Sequence, residues 1–86
     1  MEITHSIGRR TRPTVTIRGY VLHPVGARLW RVTDPSGHVV GHVQAGCEAQ
    51  GTRFHARRFH AASRAFLDVG AFWTVEEAVD CLRYLR

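Results

Sequence analysis

The sequence predicts an α+β domain: a small antiparallel sheet of three to five strands with one C-terminal helix packed on one face. Three observations carry this reading. The segment "DPSG", residues 34 to 37, is a turn between two runs of apolar residues, and "TVEEAVDCLRYL" combines a helix cap with a single apolar stripe. The length, 86 residues, allows one modest core and leaves no room for a second domain.

Residues 1–13 carry no sustained periodicity and end in "GRRTRP", which reads as a flexible basic arm, with one domain over residues 14–86. In "TVTIRGYVLH", Val15 and Ile17 alternate with polar neighbours as a half-buried strand does, and Gly19 marks a bulge or the strand's end. "HPVGA" reads as a loop.

"RLWRVTDPSGHVVGHVQ" reads as a β-hairpin. Asp34 bonds back to the backbone, Pro35 brings a preset φ, and Gly37 supplies a left-handed residue. A type I turn with a glycine bulge places Val32 opposite Val40 and Trp30 opposite His42. A two-residue loop, which proline disfavours, would instead oppose Val32 to Val39 and Trp30 to Gly41.

"AGCEAQG" reads as a loop, and "TRFHARRF" as a strand with Phe54 and Ala56 on one face and Arg53, His55 and Arg57 on the other. A helix from Arg53 to Leu67 competes with it, because His55, Phe59, Ala62 and Phe66 recur at helical spacing. "HAASR" is a loop and "AFLDVGAFW" a last strand. For the helix, Thr74 and Glu77 make a capping box and Trp73 is placed to staple onto Ala78. Val75, Ala78, Val79, Leu82 and Leu85 form the apolar stripe, with Cys81 at its margin and Glu76, Glu77 and Asp80 facing outward.

Net charge is +5, and all twelve basic residues are arginine. Six of them lie between Ile3 and Thr33 and four between Ala49 and Leu67, stretches without an acid, whereas Asp68, Glu76, Glu77 and Asp80 collect near the C-terminus. The absence of lysine reads either as GC-rich codon usage or as nucleic-acid recognition; the clustering points further, to a polarised surface with an acidic partner such as nucleic acid. The candidate binding residues are Arg9, Arg10 and Arg12 on the arm, and Arg31, Arg53, His55, Arg57 and Arg58 on the sheet. Arginine's planar fork suits phosphate and guanine, and strands can enter a major groove.

Other chemistries find less support. His42, Cys47, His55 and His60 can be drawn as a zinc set, but their spacing matches no zinc motif, so no metal and no cofactor is expected. Cys47 and Cys81 read as free thiols. No nucleotide-binding glycine loop occurs, and Ser36 and Ser63 lack a nucleophile's context; a small basic ribonuclease using one histidine with arginines is the enzymatic alternative to a non-enzymatic binder. No apolar run reaches the roughly 20 residues of a membrane span and no secretion signal opens the chain, so the expected location is the cytoplasm.

"WRVTDPSGHVVG" followed by "VGAFWTVEEAVDCL" resembles the arm-type, or AP2-like, DNA-binding domains at the N-termini of phage integrases. Trp30, the "DPSG" turn and a G-x-F-x-T-x-x-E-A segment (Gly70, Phe72, Thr74, Glu77, Ala78) stand in that family's order over about half the chain. The resemblance implies a three-stranded sheet backed by one helix and a stand-alone DNA binder from a phage or mobile element. The segment Ala45 to Arg64 is additional to that pattern. The leading expectation is a small accessory or regulatory protein binding nucleic acid, DNA ahead of RNA. The second is a protein-interaction module, either a homodimer pairing an edge strand or an adaptor for an acidic protein.

Overall fold

The computed structural model describes residues 13–85, so Arg9, Arg10 and Arg12 of the proposed arm lie outside the described residues. Six strands follow one another: β1 (Val15–Ile17), β2 (Tyr20–Gly26), β3 (Leu29–Thr33), β4 (Val39–Glu48), β5 (Gly51–His60) and β6 (Ala65–Phe72). They pair antiparallel in chain order as a single meander, and one helix, α1 (Val75–Tyr84), closes the fold against β4, β5 and β6. The α+β class is as expected, but the sheet has six strands rather than three to five.

The extra strand length comes from segments whose composition reads as loop. "HPVGA" continues β2 as far as Gly26, and "AGCEAQG" is strand through Glu48, with only Ala49 and Gln50 turning before Gly51 (φ 128°) starts β5. Cross-strand pairing imposes this, since Gly46, Cys47 and Glu48 each face a residue of β5. Pro24 lies beyond the reach of β1, which ends its pairing at Leu22. Among the described residues β2 there has a neighbour on one side only, the setting in which a strand tolerates proline. Arg18 (φ 53°) and Gly19 (φ 82°) form the two-residue turn between β1 and β2, so this glycine serves a primed hairpin turn.

The "DPSG" turn forms as anticipated. The Asp34 carbonyl accepts from Gly37 N–H at 2.8 Å, Asp34 N–H donates to the His38 carbonyl at 2.9 Å, and Asp34 Oδ1 accepts from the Ser36 and His38 N–H groups. Thr33 then opposes Val39, as the glycine-bulge register requires. One residue further the anticipated register fails: Val32 opposes Gly41 and Trp30 opposes Val43, because Val40 is a second bulge. The reason is side-chain parity. Without this bulge His42 would join Trp30 on the core face and Val43 would turn outward; with it, fully buried Val43 joins fully buried Val32.

The core lies between the sheet and α1, with Tyr20, Leu22, Val32, Val43 and Ala56 meeting Ala78, Val79 and Leu82. Gly41 lies beneath Leu82 of the helix. A Cβ there would stand 3.0 Å from Leu82 Cδ2 and collide with the Arg57 carbonyl oxygen. The capping box is complete: Thr74 Oγ1 accepts from Glu77 N–H at 3.1 Å, and Glu77 Oε1 accepts from Thr74 N–H at 3.2 Å. Asp80 is not simply an outward acid, because it accepts from Arg18 at 2.5 Å and from Arg83 at 3.1 Å, tying the β1–β2 turn to the helix. Arg18 and then Arg83 hold its carboxyl below the usual carboxylate range. Leu85, expected in the apolar stripe, caps the helix at 41% exposure.

Candidate nucleic-acid interface

Residues 53–60 are strand throughout, so the helical alternative for this segment does not occur. Alternation then sorts its side chains. Ala56 points into the core, and Arg53, His55, Arg57 and Phe59 share the opposite face, which no described element covers.

Register extends the basic face across the sheet. His23 pairs with Arg31, Arg31 with His42, His42 with Arg57 and Arg57 with Asp68, so one row of side chains crosses β2 to β6. From His23 to Arg57 is three inter-strand steps, about 14 Å at roughly 4.8 Å each. The row depends on two bulges: Val40 turns His42 onto this face, and Val69 brings Asp68 rather than itself opposite Arg57.

Arg31 is exposed and meets no carboxylate among the described residues. Arg57 is held upright by a 2.9 Å hydrogen bond from Nη1 to Gln44 Oε1, and His23 Nε2 sits 3.1 Å from Thr33 Oγ1. Burial first, then the charges of Arg31 and Arg57, push the His42 imidazole below its ordinary pKa. It is therefore neutral near pH 7, and an anion that offset those cations would raise its pKa toward the ordinary value.

Beside the row lies an aromatic cluster. The His42 and Phe66 rings stack with centroids 3.9 Å apart and 9° between planes, and Phe59 tilts against Phe66 at 5.2 Å. Phe66 remains 36% exposed. The β2–β3 end of the row borders an open groove of about 670 Å³ lined by His23, Arg31, Thr33 and Pro35 among others.

The anticipated site residues divide. Arg31 and Arg57 meet in the row. Arg53 and His55 share the face but are engaged elsewhere. Arg53 donates to the Ala71 carbonyl at 2.9 Å, lies 4.3 Å from the Trp73 ring centroid and 4.0 Å from Glu48, and His55 Nε2 is 3.6 Å from the same carboxylate. Trp73, expected to staple the helix, is 51% exposed beneath that guanidinium. Arg58 belongs to the other face: it pairs with Gly41 and lines a cavity of about 260 Å³ with Asp34, His38 and Leu82. Strand alternation separates it from Arg57.

His23, His42, Gln44, Phe59 and Phe66 complete the face and were not among the anticipated residues. Phe59 was readable, since it alternates with Arg57; His42 was not, because its side depends on the Val40 bulge. The drawn zinc set is dispersed. His42 stacks on Phe66, Cys47 Sγ lies 2.6 Å from Arg28 Nη1, His55 faces Glu48, and His60 Nδ1 lies 2.8 Å from Ser63 Oγ. No group of three or more His, Cys, Asp or Glu side chains suited to a metal occurs among the described residues, and both cysteines are free. No helix among them is long and apolar enough to cross a membrane. Against protein-family models, curated proteins and solved structures, the chain finds no match.

Proposed function

We propose that the protein is a small, non-enzymatic accessory or regulatory protein of the cytoplasm that binds nucleic acid, DNA ahead of RNA, through the helix-free face of its sheet. The observation that carries the reading is the row His23, Arg31, His42 and Arg57, assembled by cross-strand register from four different strands. The arginine forks of Arg31 and Arg57, two strands apart on either side of His42, suit phosphates, and Arg9, Arg10 and Arg12 would add to the phosphate grip. The resemblance to integrase arm-type domains agrees with this reading in function.

An electrophoretic titration with DNA and RNA at about 50 and 200 mM salt tests it. Log affinity should fall steeply with log salt, and Arg31→Ala with Arg57→Ala should reduce the slope by roughly 0.7 to 0.9 per arginine. Absent or salt-insensitive binding to both polymers overturns the reading.

A second reading is a protein-interaction module. It draws on β6, an edge strand carrying exposed Phe66 and Leu67 with no described strand beyond it. Light scattering separates the two, since pairing of β6 between copies would double the mass with rising concentration. A constant monomer mass counts against the homodimer form.

A further inference from the structure

Resting on the nucleic-acid reading above, we propose that this face takes a single strand, whose unpaired bases stack on the cluster of His42, Phe66 and Phe59 while its phosphates follow Arg57, Arg31 and His23.

The dimensions of the sheet argue first. Its basic row, His23 to Arg57, runs through the middle of β2 to β5, three inter-strand steps or about 14 Å at roughly 4.8 Å each, and the sheet continues to Asp68 on β6. A duplex major groove is only about 12 Å wide and admits a helix or a two-stranded ribbon. The row therefore cannot sink into a groove, which removes the base-reading mode in which strands enter the major groove. Against a duplex it would touch phosphates alone.

The rings argue next. Phe66, 36% exposed, and its partner His42 stand directly beside the guanidinium groups of the row. A duplex laid here would press its charged backbone onto those rings and keep its own base faces hidden. A single strand matches both parts of the surface, with phosphates for the arginines and free π-faces for the rings. The near-parallel pair of His42 and Phe66 already forms a two-ring column, and a base adds a third plane. Stacking of this kind tolerates any base, so weak sequence preference is expected. DNA and RNA single strands share this chemistry.

The test is fluorescence anisotropy with the full chain and three labelled probes about a dozen nucleotides long: oligodeoxyuridine, oligouridine and a DNA duplex. The unpaired probes should bind roughly tenfold or more tighter than the duplex. Phe66→Ala should weaken them about fivefold or more while leaving the salt slope unchanged. Phe66→Leu, which keeps an apolar side chain but removes the π-face, should lose a similar factor, and circular dichroism confirms that both variants fold. Equal or tighter duplex binding, or Phe66 variants without effect, overturns the single-strand inference and leaves the nucleic-acid reading standing. No binding to any probe overturns both. Comparing oligodeoxyuridine with oligouridine, which differ only in the 2′-hydroxyl, shows which sugar is preferred.

Discussion

On β5 the helix-side residues are Phe54, Ala56 and Arg58, and the open-side residues are Arg53, His55, Arg57 and Phe59. The first set is sorted by packing: Ala56 is fully buried beneath α1, and Arg58 lies toward the end of the core, beside Leu82. The second set is half-buried, and cross-strand register brings its Arg57 into line with His23, Arg31 and His42 of β2, β3 and β4. Arg57 and Arg58 are neighbours in sequence and strangers in space. Under the proposed function, stability and binding fall to alternate residues of the same strand, so substitutions should separate the two properties.

The largest effect should come from the helix side. Leu82→Ala empties the space above Gly41 and should cost about 2–5 kcal/mol in denaturant unfolding, with affinity unchanged wherever the variant remains folded. Next, Arg57→Ala should weaken nucleic-acid binding about tenfold at low salt, or roughly 1.4 kcal/mol, while Arg58→Ala leaves it nearly unaltered. Equal losses for both in a titration would break the comparison. Thr74→Ala removes the acceptor for Glu77 N–H and should lower stability by about 1 kcal/mol, again without touching affinity.

The smallest effect is the sharpest in sign. His42 has a depressed folded-state pKa, so the unfolded chain binds the proton more readily. Its contribution to stability is complete above the ordinary value of 6.5 and is lost as pH falls through the folded pKa. A bound phosphate would raise the same pKa, so affinity should strengthen over the range in which stability weakens. His42→Gln should flatten both profiles, measured by unfolding and by anisotropy between about pH 7 and pH 5.

Local chemistry was legible where the responsible residues lie close together. The capping box of Thr74 and Glu77, the turn at Asp34 to Gly37 and the alternation of residues 53–57 all appear as anticipated. Residues 23–26 and 45–48 were misread because glycine, alanine and proline carry no periodic signal; pairing with β3 and β5 makes them strand. The G-x-F-x-T segment also has a local cause. Gly70, at φ 152°, has the Phe72 ring so close that a Cβ would come within 2.9 Å of it, just before the cap at Thr74. Of the anticipated sheet residues, Arg31 and Arg57 form the row, whereas Arg53 is held by Trp73, Ala71 and Glu48.

By itself the sequence determined the class of the fold, the helix with its cap, the position of the hairpin turn and the basic character of one face of residues 53–57. These depend on side chains within a few positions of one another. Only the tertiary structure decided how many strands form and which residues stand beside Arg57. A single inserted residue reverses the side on which every later side chain of a strand falls, and the bulge at Val40 arises from the need of Val43 to reach α1's side of the sheet. His42 lies in the basic row because Val43 lies in the core.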